Sequence, residues 1–375
     1  MSKKLTIIFA LIFFVVSGGL SYFLFAQHAK VEEQKILANP DAGPKTEECP
    51  MNGKLMTRGQ RQIWEKHRPM GVMVENHTEA RPQSGLSNSD VIYEAVAEGG
   101  ITRFLNIFYC DNAPLIGPVR SARIYFVRLL EGYGAYPLYA HVGGANTPGP
   151  ADALGEIVDL GWNNYNDMNQ FSVPFPIYYR DYDRLPGVAT EHTMYASTAK
   201  LWDYAKQNRH LTEKDKDGEP WDKAFTPWKF KDDAKIAERG DVSAISFGFW
   251  AQFESDYGVK WAYDKESNTY SRSNGGKPHL DKNTGKQLTA KNIVVVFADE
   301  SVANDGYEDG QHLLYDIVGT GEALVFQDGQ VIKASWSKKD DKTMMRFKDK
   351  SGSEISLVRG KVWVEILPTG NKVTY

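Results

Sequence analysis

The chain reads as an α+β protein, with an N-terminal mixed α/β domain followed by a C-terminal antiparallel β domain. Three observations predict this. A length of 375 residues with 42% hydrophobic and 25% charged side chains leaves room for two sizeable cores. Up to about residue 210, β-type runs alternate with helical ones. Beyond about residue 240, helical periodicity gives way to alternating apolar and polar runs separated by turns.

The first 30 residues differ in kind from the rest. Lys3 and Lys4 precede an uncharged run from Leu5 to Ala26, long enough at about 1.5 Å per residue to cross a bilayer core. Lysines before the run and none within it place the N-terminus inside and the remainder outside. The alternative is a cleaved signal peptide, but the run is longer than a usual h-region and Ala26 and Ala29 are spaced wrongly for an A-x-A site. Residues 1–27 are therefore expected to be an uncleaved single-pass anchor in the cell membrane, with the ectodomain outside the cytoplasm. Residues 28–60 are polar, with Pro40, Gly43 and Pro44 among Glu and Lys, and read as a stalk.

Both cysteines of the chain, Cys49 and Cys110, fall in the part placed outside. An oxidising compartment makes a Cys49–Cys110 disulfide the expected state. A formal charge of -4 supplies no general basic field, so nucleic acid is not an expected partner.

The N-terminal domain is expected over 61–215. Strands are predicted at 70–75 (MGVMVE), 90–97 (DVIYEAVA), 103–109 (RFLNIFY) and 137–142 (PLYAHV). Helices are predicted from a Ser121 cap through Tyr133, from Pro148 or Pro150 to Leu160, and from Ser197 or Thr198 through Asn208. Residues 216–240, rich in lysine with Pro220 and Pro227 among tryptophans, read as the junction. In the C-terminal domain, 241–375, strands are predicted at 259–263, 269–272, 292–298, 311–318, 322–326, 330–336, 343–347 and 361–367. Asp328-Gly329 and Lys350-Ser351-Gly352 are hairpin signals.

Between Arg68 and Ala199 there is not one lysine; the basic residues are Arg68, Arg81, Arg103, Arg120, Arg123, Arg128, Arg180 and Arg184. Lysine suits a solvated surface, whereas arginine suits buried pairs and planar recognition of carboxylate or phosphate. The sharpest cluster is 117–123 (GPVRSAR). With Ser121 as N-cap, Arg120 and Arg123 flank the positive end of the helix dipole, where a cation needs an anion beside it. That anion is either a ligand, held by Arg103, Arg120, Ser121 and Arg123, or the protein's own Glu94 and Glu98, which alternation places on one face. Gly143 and Gly144, after the strand ending in His141-Val142, allow close approach to backbone, and Arg180 adds a guanidinium. Glu98, His141 and His192 are the candidate acids or bases, with no nucleophile elbow, phosphate loop or dinucleotide fingerprint beside them. No H-E-x-x-H or cysteine cluster is present, so neither a metal nor a cofactor is expected. The aromatic run 171–182 (FSVPFPIYYRDY) could stack on a sugar or pack as an ordered loop.

The stretch RPMGVMVENHTEARPQSGLSNSDVIYEAVAEGGITRF, followed by GPVRSAR and YAHVGG, resembles the YerB-like family of bacterial lipoproteins, and LTAKNIVVVF, GTGEALVFQDG and WVEILP are similar to that family's separate C-terminal domain. The resemblance implies a two-domain extracytoplasmic protein held at the membrane, and no activity, since the family's function is unknown. The chain lacks the lipobox cysteine of lipoprotein members, which argues for the transmembrane segment. Three functions follow as expectations: a binding protein for an anionic envelope ligand such as a pyrophosphate or acidic glycan; a transferase or hydrolase acting on an envelope precursor; and a non-catalytic structural or interaction protein whose arginines pair internally.

Overall fold

The computed structural model describes residues 9, 12–27, 39–307 and 311–375. The chain divides into two compact units, Met1–Glu47 with Leu55–Ile63, and Glu48–Lys54 with Trp64–Tyr375. In the first, residues 12–27 are helical and expose apolar side chains, among them Phe13, Phe14, Tyr22 and Phe25. Among the described residues no helix is long and apolar enough to cross a membrane. The span expected over 5–26 is thus not supported as a crossing helix; its residues 5–8, 10 and 11, and residues 28–38 of the expected stalk, lie outside the described residues.

The second unit is built on one large sheet. Its strands, in chain order, begin with β1 (Met70–Glu75), β2 (Val91–Glu98), β3 (Ile101–Phe108), β4 (Leu138–His141) and β5 (Asp167–Asn169). A second, smaller sheet contributes β6 (Ala244–Phe247), β7 (Val259–Asp264) and β8 (Thr269–Asn274), and the large sheet resumes with β9 (Asn292–Ala298), β10 (Gly319–Gln327), β11 (Gln330–Lys338), β12 (Arg346–Lys348) and β13 (Val362–Pro368). The ten strands of the large sheet run in the order β12-β11-β10-β9-β13-β2-β3-β1-β4-β5. Strands from both halves of the chain therefore share one set of ladder hydrogen bonds. The seam is β13, which pairs parallel to β9 on one side and parallel to β2 on the other, with Glu365 opposite Glu94. This parallel seam interrupts the otherwise antiparallel pairing of the C-terminal strands.

β2 and β3 are buried along nearly their whole length, as strands covered on both faces must be. On one face helix α1 (Ile124–Glu131) packs so close that a Cβ on Gly71 would lie 2.9 Å from Leu130 and 2.8 Å from Leu105. On the other face Trp261 of β7 meets Trp363 of β13 at 5.2 Å between ring centroids, and Phe104 of β3 meets the same Trp363 at 5.6 Å.

The Asp328-Gly329 turn falls where the sequence placed it. Asp328 and Gly329 both take positive φ (51° and 66°) between the paired ends Gln327 and Gln330 of β10 and β11, as a two-residue primed turn requires. Gly99 and Gly100 do the same, at 55° and 75°, between β2 and β3. Two helix starts are corrected. α1 begins at Ile124 with extended Arg123 as its N-cap, so Ser121 caps nothing. Helix α2 (Ala153–Asp159) starts from Asp152, whose carboxylate accepts the Gly155 N–H at 2.7 Å, and not from Pro148 or Pro150. The third expected helix is α3 (Thr198–Arg209), with Ser197 at its N-cap.

Candidate functional site: an arginine cluster at the strand ends

The β2–β3 hairpin contains a bulge: Val96 pairs with Thr102, but Glu98 pairs with Ile101, so Ala97 is extra. One extra residue turns everything beyond it to the opposite face. Glu94 and Glu98 therefore part company, against the expectation that they share a side. Glu98 joins the α1 face with Arg103, and Glu94 joins the face covered by the smaller sheet.

On the α1 face, Arg103 donates from Nη2 to Glu98 Oε1 and from Nη1 to the Ser121 carbonyl at 3.2 Å. Arg123 Nη2 forms an ion pair with Glu98 Oε2, and its Nη1 donates to the Ala122 carbonyl at 2.7 Å. Both guanidiniums are buried, 3% and 7% exposed by side chain, and one carboxylate serves them both. Arg120 is more open, at 28%, and its Nε lies 3.5 Å from Glu75 Oε2. Glu75 stands opposite Arg103 across β1 and β3, and its other oxygen accepts from His192 Nδ1 at 2.9 Å. The Nε atoms of Arg103, Arg120 and Arg123 are buried without a hydrogen-bond partner among the described residues. Burial lowers the pKa of all three arginines, and the Glu75 charge pulls Arg103 and Arg120 back up. The hydrogen bond that His192 donates to Glu75 raises the pKa of His192.

Gly143 and Gly144 lie against the arginine loop. The Gly143 carbonyl accepts the Ala122 N–H at 2.9 Å, the Val142 N–H reaches the Arg120 carbonyl at 3.0 Å, and a Cβ on Gly144 would be 3.1 Å from that of Ala122. Close backbone approach thus serves the chain itself at Gly144. Arg180 is exposed and bonds the Thr190 carbonyl; its charge is felt at Arg120, as is that of Glu191. His141 is elsewhere in function: fully buried, with Nε2 on Asp167 at 2.8 Å and Nδ1 on the Gly143 carbonyl at 2.7 Å, it has neither nitrogen open to a substrate.

On the opposite face, Glu94 receives Arg272 Nη2 at 2.5 Å, Thr102 Oγ1 at 2.7 Å and Asn76 Nδ2 at 3.3 Å. Arg272, fully buried, also reaches His279 Nδ1 at 2.6 Å and sits 4.8 Å from the Trp363 ring. Burial and the neighbouring Glu94 raise the pKa of Glu365 well above the carboxylate range, while burial and Arg272 push His279 far down. Glu365 Oε1 accepts the Trp261 Nε1–H at 3.1 Å and lies 3.8 Å from Arg272 Nε, so Arg272 stands between two buried carboxylates. Glu75, Arg272 and His279 were not singled out from sequence, because each meets its partners only across strands or across the two sheets.

The expected disulfide is present, Cys49–Cys110. Beside it, Asp90 accepts the N–H groups of Tyr109 and Cys110 at 2.8 and 2.9 Å and Asn52 Nδ2 at 2.7 Å, while burial pushes its carboxyl up to about 7.

The ten-stranded sheet is thus shared by two segments of the sequence, with an arginine cluster on one face and a buried Glu-Arg-Glu cluster on the other. Residues 57–212 match the N-terminal domain, and residues 249–364 the C-terminal domain, of the protein of unknown function (DUF3048) family, and the chain belongs to it. It is 32% identical to "Putative lipoprotein YerB" of Bacillus subtilis (strain 168) over 333 residues, 88% of this chain and 89% of that one. The crystal structure of the YerB protein from Bacillus subtilis is similar with a TM-score of 0.70 at 28% identity, covering 88% of this chain and 100% of that one.

Proposed function

We propose that this is an envelope protein, held at the membrane by its N-terminal segment with the folded part outside the cytoplasm, that binds a small anionic ligand such as a pyrophosphate or acidic glycan. The membrane assignment is supported by the lysine-flanked apolar run from Leu5 to Ala26, by the lipoprotein description of the Bacillus relative and by the disulfide. Protease added to intact spheroplasts should remove the ectodomain, and full protection would refute it.

One observation carries the ligand reading. Three guanidiniums, Arg103, Arg120 and Arg123, meet two carboxylates, Glu75 and Glu98, and Glu75 is already bonded to His192. Arg120 is the most open of the three and has the longest carboxylate contact; the charges of Arg180 and Glu191 are both felt there, and Ser121 is next along the chain. An oxyanion there would take bidentate bonds from Arg120. Calorimetric titration with inorganic pyrophosphate tests this: Arg120→Lys keeps the charge but loses the fork, so affinity should fall at least tenfold with the melting temperature nearly unchanged. No saturable heat from the unsubstituted protein would end the ligand reading. The second reading, a structural or interaction protein, rests on the fact that each of the three arginines does reach a carboxylate. It expects Arg120→Lys to cost stability and to touch no ligand.

A further inference from the structure

We propose that His77, Glu79 and His192 form a site for a divalent transition metal, with zinc the ion that fits best, and that Glu75 orients its buried ligand. One donor atom from each of the three residues lies within 4.8 Å of the others. His192 is the fixed member, 5% exposed, and its Nδ1 is bonded to Glu75 Oε1 at 2.9 Å. A carboxylate on one ring nitrogen sets the tautomer and leaves the other nitrogen to ligate. That other nitrogen, Nε2, stands 3.6 Å from Glu79 Oε2, and the His77 ring is stacked on the His192 ring at 4.6 Å between centroids.

Local backbone brings the first two ligands together. His77 precedes the short 3-10 turn Thr78–Ala80, and its Nδ1 accepts the Glu79 N–H at 3.3 Å. Ligation through His77 Nε2 moves the ring proton to Nδ1 and gives up this long bond. Zinc bonds of about 2.0–2.1 Å in a tetrahedral site place donor atoms roughly 3.3 Å apart. The Glu79 side chain, 55% exposed, must close in, and the half-buried His77 ring must turn out of its parallel stack so that its in-plane lone pair meets that of His192, which stays put.

Charge favours a cation. Glu75, Glu79 and Glu191 surround the two histidines, against Arg120 and Arg180. Two imidazoles and one carboxylate suit zinc, and three protein ligands leave a coordination position for water or another molecule. Among the described residues the other close group of potential ligands, Cys49, Asp90 and Cys110, has its two sulfurs joined to each other and cannot compete.

The test is a zinc titration of the untagged full-length chain in detergent, stripped with chelator and kept free of phosphates, followed by calorimetry. One equivalent should bind, and cobalt in its place should give the visible bands of a tetrahedral ion. His77→Ala and Glu79→Gln should each weaken zinc binding at least tenfold, and Glu79→Gln, at an exposed side chain, should leave the melting temperature in chelator unchanged. Absence of saturable zinc binding, or wild-type affinity in either variant, would overturn the site. Neither outcome depends on pyrophosphate binding at Arg120.

Discussion

At the scale of single residues, the decisive group is Glu98. It is the anion that Arg103 and Arg123 share, and the bulge at Ala97 is what turns it toward them. Glu98→Gln would leave two buried guanidiniums facing a neutral amide. Breaking a fully buried pair costs about 3–5 kcal/mol; because Glu98 is 29% exposed, water screens part of that, and a loss of roughly 2–3 kcal/mol in chemical denaturation is expected. A change below about 0.5 kcal/mol would mean that the arginines do not rely on it. The arginine cluster itself was legible in sequence, because lysine is missing from the whole stretch and Arg120 and Arg123 share one short loop. Its partners were only half legible. Glu98 sits five residues from Arg103 across a glycine turn, but alternation without the bulge wrongly grouped it with Glu94, whose partner Arg272 lies 178 residues away.

At the scale of elements, the disulfide ties Glu48–Lys54, which belongs to the same compact unit as the sheet, to the end of β3. It closes a separation of 61 residues, for which loop-closure entropy gives about 4 kcal/mol. Reduction, or Cys49→Ser with Cys110→Ser, should lower the unfolding free energy by about that amount, and thiol titration of the denatured, unreduced protein should find no free sulfhydryl. Two free thiols, or an unfolding curve indifferent to reductant, would contradict it. Cysteine arithmetic alone revealed this pairing. Strand and turn signals were equally readable: 70–75, 292–298 and the Asp328-Gly329 turn fall where expected. The start of α1 was not, because a serine in a plausible capping position lies in a loop that is bonded to the 142–145 segment instead.

At the scale of the molecule, the sequence divides into two family segments, yet the sheet does not divide between them. β13 supplies the neighbour of β2, and Arg272 supplies the counter-charge of Glu94. Period and turn signals identify strands but not which strand lies beside which, so this seam was beyond reach of sequence reasoning. We retain 216–240 as the proposed junction along the chain, with folding coupled across it. A fragment ending at residue 240 should then fail to fold, showing neither cooperative melting nor dispersed amide resonances; a cooperatively folded fragment would contradict the coupling. The central claim, a ligand-binding mouth at Arg120, is tested most directly by a crystal structure of the protein soaked in pyrophosphate. The account predicts a diphosphate bonded by the Arg120 guanidinium, with Arg180 or Ser121 as a further donor and Glu98 still between Arg103 and Arg123. Crystals that hold no anion at that mouth at saturating pyrophosphate, with Arg120 drawn onto Glu75 in full hydrogen-bond contact, would contradict it.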